Sequence, residues 1–137
     1  MVDVLVLTEG TEMTRDRIGR LLMWFVAALT MIAFADGLRR MALVGPDRIW
    51  VETWRTFAYV VFAGLFSLLA LRPRETLGLW ELTFAHKIAV VLFGLTLGNV
   101  PEAQVAMVVD AVLVVLIAVS WWLCRGWVTW SKAIAQP

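Results

Sequence analysis

The chain has 137 residues, 61% of them hydrophobic and 17% charged, with a mean hydropathy of +0.82. Soluble domains run nearer half apolar and a quarter charged, so the composition points to a membrane. A net charge of +1 offers no basic field for nucleic acid. The single cysteine, Cys124, excludes an intrachain disulfide and a multi-cysteine metal site.

Residues 2–7 form an apolar run interrupted by Asp3, followed by a polar segment. Six residues are too few to cross a bilayer. The run fits an interfacial segment, an edge strand for a partner, or disorder. The first span is predicted over residues 18–35, with a capped start at Thr14-Arg15-Asp16-Arg17 and Arg20 placed to snorkel outward. Arginines before an apolar stretch, then Ala33-Phe34-Ala35, imitate a signal peptide with its cleavage site. The leader is long for one, and the segment is expected to be retained as a helix.

Gly45-Pro46-Asp47 is a turn signal. Beyond it Ile49, Trp50, Thr53 and Trp54 share one helical face, with Arg48, Glu52 and Arg55 around the other. That pattern predicts a short interfacial helix in the first loop, with tryptophan at headgroup level. The second span is predicted over 54–71 and is stopped by Arg72-Pro73-Arg74. A loop of about five residues then makes the second and third helices antiparallel neighbours. The third span covers 77–98 and ends at Gly98-Asn99-Val100-Pro101. The fourth covers 104–123; valine is a mediocre helix former in water, but in lipid only helices and closed barrels satisfy the backbone. Trp121, Trp122, Arg125, Trp127 and Trp130 follow as an amphipathic interfacial tail, where Cys124 reads as a small apolar filler or a palmitoylation site.

The expected fold is therefore all-α: one integral membrane domain over residues 1–137, a four-helix bundle with a short interfacial helix in its first loop. Seven basic residues (Arg15, Arg17, Arg20, Arg72, Arg74, Arg125, Lys132) fall on one side and four (Arg39, Arg40, Arg48, Arg55) on the other. The positive-inside rule then places both termini in the cytoplasm.

The third span carries Glu81, His86 and Lys87, and the fourth carries Asp110. Ionisable groups are costly in hydrocarbon and need a partner, water or an escape to the headgroups. At 100° per residue Lys87, Val91, Gly94 and Gly98 share a stripe, while His86 points about 100° away. Gly94 and Gly98 form a GxxxG, a spacing that lets a second backbone approach closely. Lys87 lies roughly 13 Å and Asp110 roughly 9 Å from the starts of antiparallel helices, levels that a lysine side chain can bridge. The pair either neutralises two buried charges or joins His86 and Glu81 in a polar pocket. In the second case Asp110 or Glu81 would serve as acid, His86 as base or relay, and Lys87 as the charge that tunes them. Asp36 and Glu52, near the outer helix ends, read as surface caps or as an acidic mouth. Seven of the eight tryptophans suit an interfacial belt, Trp24 being the exception.

One histidine excludes bis-histidine haem and a His-rich metal site, and there is no Gly-rich phosphate loop and no GxSxG. No cofactor or metal is expected. The layout resembles the DoxX-like group of small four-helix bacterial membrane proteins, in the spacing of the four spans and the short Arg72-Pro73-Arg74 loop. That resemblance implies a bacterial membrane fold and assigns no functional residue.

Besides a proton-coupled transporter formed by oligomerisation, which needs a water-accessible path to Asp110, two functions fit these residues. One is binding of a lipophilic small molecule within the bundle, with acid–base chemistry, an isomerase or a cyclase, as its enzymatic form. The other is an accessory or structural subunit of a membrane complex or homo-oligomer. A cavity touching His86, Lys87 and Asp110 separates the first from the second, which calls for a closed Lys87–Asp110 contact.

Overall fold

The computed structural model describes residues 2–135, with side chains from Thr11 onward. The elements are α1 (Val2–Met41), α2 (Pro46–Leu71), α3 (Leu79–Thr96), α4 (Pro101–Leu123) and the short α5 (Val128–Ile134). The first four are long and apolar enough to cross a membrane, so the protein is an integral membrane helical bundle.

The helix boundaries differ from the expected ones for local reasons. α1 runs past Ala35 to Met41 because Asp36 accepts from Arg40 Nε at 2.6 Å and from Arg39 at 3.4 Å. Such i,i+3 and i,i+4 pairs support another turn and a half of helix. Its other end takes in residues 2–7 as helical backbone, and the side chains of that run lie outside the described ones. Forty residues span about 60 Å, so α1 is about twice as long as the hydrocarbon is thick.

The interfacial helix expected over 49–55 is the opening of α2 rather than a separate element. Pro46 occupies the first turn, where its missing N–H costs nothing, and no breaker follows before Arg72. Trp50 and Trp54 are exposed there, as an interfacial anchor requires. α3 is shorter than expected because glycines in left-handed conformations bracket it, Gly78 at φ 78° and Gly98 at φ 57°. Pro101 starts α4 one turn early.

α1 packs along both α2 and α4, and α3 packs along α4, whereas α2 and α3 meet only lightly despite their short connection. Residue size explains the difference. At the close crossings a small residue faces its neighbour: a Cβ on Gly37 would come within 2.5 Å of Thr56 Oγ1, one on Gly19 within 2.5 Å of Cys124 Sγ, and one on Gly94 within 2.9 Å of Met107 Cβ. Backbones approach closely where side chains are absent. The GxxxG therefore works through Gly94 alone, since Gly98 has left the helix. Between α2 and α3 the Phe62 ring stands against His86 and Lys87 and keeps the axes apart.

The apolar core lies in the half of the bundle that holds the α2–α3 loop, labelled the inner half without regard to membrane orientation. Met23, Val26, Phe66, Leu69, Trp80 and Ile117 meet there, all but closed to solvent. Trp80 is thus a core residue rather than part of an interfacial belt, and its indole N–H donates to the Pro73 carbonyl at 2.9 Å. In the outer half the buried side chains include Glu52, Thr56, Lys87 and Asp110.

Candidate functional site

Lys87 lies midway along α3 on the face turned to α4, and Asp110 midway along α4 on the face turned to α3. The ammonium donates to Asp110 Oδ1 at 2.8 Å, and each residue is 8% exposed. The pairing expected from helix depth is therefore present. Phe62 of α2 covers the ammonium from the other side, with its ring centroid 4.4 Å from Nζ. A cation against an aromatic face gains further electrostatic stabilisation when water is excluded. Both charges are thus answered by protein, one by its opposite and one also by a π-face.

His86 adjoins this pair without entering it. Its ring packs on Phe62 at 4.5 Å between centroids, while the residue as a whole is exposed. No described residue accepts or donates a hydrogen bond with it. An imidazole therefore stands at mid-helix on the outer face of the bundle, beside the thin α2–α3 seam. Glu81 is elsewhere. It sits in the first turn of α3, where its carboxylate accepts from the Trp130 indole of α5 at 2.7 Å. The structure brings Lys87 and Asp110 together with His86 alongside, and it places Glu81 at the start of α3 as an anchor for α5.

Two clefts lie away from these residues. One, of about 460 Å³, is an apolar groove on the α1–α2 face, walled by Trp24, Met31, Val60 and Gly64 among others. The other, of about 210 Å³, lies at the inner end and is charged. Neither is lined by His86, Lys87 or Asp110. Among the described residues no three His, Cys, Asp or Glu side chains converge as a metal site would need.

Both ends of the bundle are bound by ion pairs. At the outer end Glu52, 2% exposed, accepts from Arg55 and Arg48, and Arg48 crosses to Glu102 of α4 at 2.7 and 2.9 Å. Asp36 and Glu52 are thus matched by arginines and form no acidic mouth. At the inner end Asp16 accepts from Arg20 Nε at 2.9 Å and from Arg74 at 2.5 Å, and Glu12 accepts from Arg125 at 3.0 Å. Sequence reasoning missed Phe62, Trp130 and Glu102 as partners. The i,i+3 and i,i+4 spacings within helices were there to be read, but long-range partners carry no local signal.

Cys124 is the small filler of the α1–α4 crossing. It is fully buried, its thiol donates weakly to the Asp16 carbonyl at 3.7 Å, and burial with the Asp16 carboxylate nearby pushes its pKa up to about 11. The thiolate is the reactive species, so the folded protein should resist maleimide at neutral pH and label fully once unfolded in SDS. Rapid labelling of the folded protein would mean that this crossing opens.

Comparison with protein-family models, curated proteins and solved structures returns no match, so the site is read from its own geometry.

Proposed function

We propose that this protein is a structural or accessory subunit of a membrane complex, associating laterally with another transmembrane helix through its α2–α3 face. The observation that carries this reading is His86, a polar ring at mid-helix on the outer face with no hydrogen-bond partner among the described residues. Polar side chains within membranes normally turn inward or meet a partner. A neighbouring helix that supplies a hydrogen-bonding group would satisfy the ring, for about 1–2 kcal/mol in model systems. The closed Lys87–Asp110 contact supports the same reading, because its charges are already used in holding α3 to α4. The excess of arginine at the inner end, and the resemblance to DoxX-like proteins, favour the bacterial cytoplasmic membrane with both termini inside.

A photo-crosslinking residue at Ala89, an exposed position one turn from His86, tests the association in native membranes. A discrete polypeptide adduct is expected, and it should weaken severalfold when His86→Leu is added. No polypeptide adduct, or an adduct indifferent to His86→Leu, would end this reading.

A second reading, binding of a lipophilic small molecule, has the groove between α1 and α2 in its favour. Its volume of about 460 Å³ lies within the range of ligand sites. That groove is apolar and apart from Lys87 and Asp110, so it supports binding rather than acid–base turnover. Gly64→Leu would fill it, and a ligand seated there should be lost.

A further inference from the structure

The inner-end cleft combines three features that belong together at a membrane surface. It is walled by residues from three parts of the chain: Glu12, Met13, Arg15 and Asp16 of α1, Arg74 of the α2–α3 loop, and Leu123 and Arg125 at the end of α4. Among the described residues three guanidinium groups face two carboxylates, an excess of one positive charge. Arg74 is matched by Asp16 and Arg125 by Glu12. Arg15 has no carboxylate partner among the described residues. Its guanidinium instead lies over the Trp122 ring, 4.3 Å from the centroid, on an exposed indole.

Stacking on an indole fixes the plane of a guanidinium and leaves its N–H edge free to donate. A planar fork of that kind suits a phosphate, which accepts two parallel hydrogen bonds. The level is also right. Arg15 precedes the apolar part of α1, while Arg74 and Arg125 follow α2 and α4 within three residues. All of these stand where lipid headgroups lie. Met13 and Leu123 give the cleft an apolar wall, against which the glycerol and first methylenes of a lipid can rest.

We propose that this cleft binds the phosphate of an anionic phospholipid, with Arg15 as the principal donor and Arg74 and Arg125 as flanking charges. The excess positive charge attracts a lipid of net negative charge, whereas the choline ammonium of a zwitterionic lipid offsets its own phosphate, so an anionic lipid is selected. The apolar wall selects a lipid over a free phosphate ion. Attraction of this kind is worth about 1 kcal/mol for each arginine near the surface, and salt screens it.

The test uses the full chain in mild detergent, titrated with short-chain phosphatidylglycerol, short-chain phosphatidylcholine or inorganic phosphate while the unfolding temperature is followed. Phosphatidylglycerol is expected to raise the midpoint saturably, and the other two to leave it in place. Arg15→Gln should weaken the phosphatidylglycerol response about fivefold, an effect on the scale of one surface arginine. Because Arg15 holds no ion pair among the described residues, that variant should fold, and Arg15→Lys should recover part of the response through charge alone. An equal shift with inorganic phosphate would identify an ion site and overturn the lipid assignment. An equal shift with phosphatidylcholine, or no change in Arg15→Gln, would overturn the proposal altogether.

Discussion

Lys87→Met should destabilise the bundle by about 3–5 kcal/mol, because it leaves the Asp110 carboxylate buried without its cation. Asp110→Leu should cost a similar amount by stranding the ammonium, which would keep only the Phe62 ring. The double variant Lys87→Met/Asp110→Leu should recover most of that loss. Replacing both members of a buried pair with apolar groups of similar size removes two desolvation penalties along with the attraction. In a bilayer the argument strengthens, since water is excluded from both side chains. Reversible unfolding in mixed micelles of rising SDS content, run as a double-mutant cycle, measures the coupling. Single variants that cost under about 1 kcal/mol and simply add would show that α3 and α4 are held by packing instead, with Gly94 against Met107 as the main contact.

The second large effect is expected at the α1–α4 crossing. Gly19→Ala would bring a methyl group within 2.5 Å of Cys124 Sγ and 3.2 Å of the Ser120 carbonyl. The sulfur cannot retreat easily because it is fully buried among core residues. Overpacking of this kind costs about 1–3 kcal/mol. Cys124→Ala removes the obstructing atom, so Gly19→Ala/Cys124→Ala should be more stable than Gly19→Ala alone. The same unfolding measurement decides it. If the second substitution gave no relief, the strain would lie against Leu123 Cβ and the Ser120 carbonyl, 3.1 and 3.2 Å from the added methyl, rather than against the thiol.

These two positions differ in how legible they were. Lys87 and Asp110 announced each other: charged residues in apolar helices need partners, and depth along two antiparallel helices restricts the choice. Gly19 announced nothing, since a lone glycine in a helix is common and only the tertiary structure shows a sulfur above it. The interfacial helix was legible as an amphipathic pattern but not as a continuation of α2, because amphipathicity reports environment and says little about where a helix is interrupted. Glu81 and His86 were both candidate members of one polar pocket, although the sequence already put them on different faces of the helix. Tertiary contacts separated them, giving Glu81 an indole partner at the interface and leaving His86 on the outer face.

What the sequence determined by itself is the number of spans, their approximate limits, and the need to neutralise charge between the third and the fourth. Those properties follow from local composition and from the thickness of hydrocarbon, which any apolar helix must match. The tertiary structure alone decided which seams close and which stay thin, and which arginines at the α2–α3 loop end of the bundle meet a carboxylate among the described residues. It also decided that neither the charged cleft nor the α1–α2 groove is lined by Lys87 or Asp110. Such properties depend on side chains distant in sequence meeting at a few ångströms, where one methyl group or one aromatic ring sets the distance between helices.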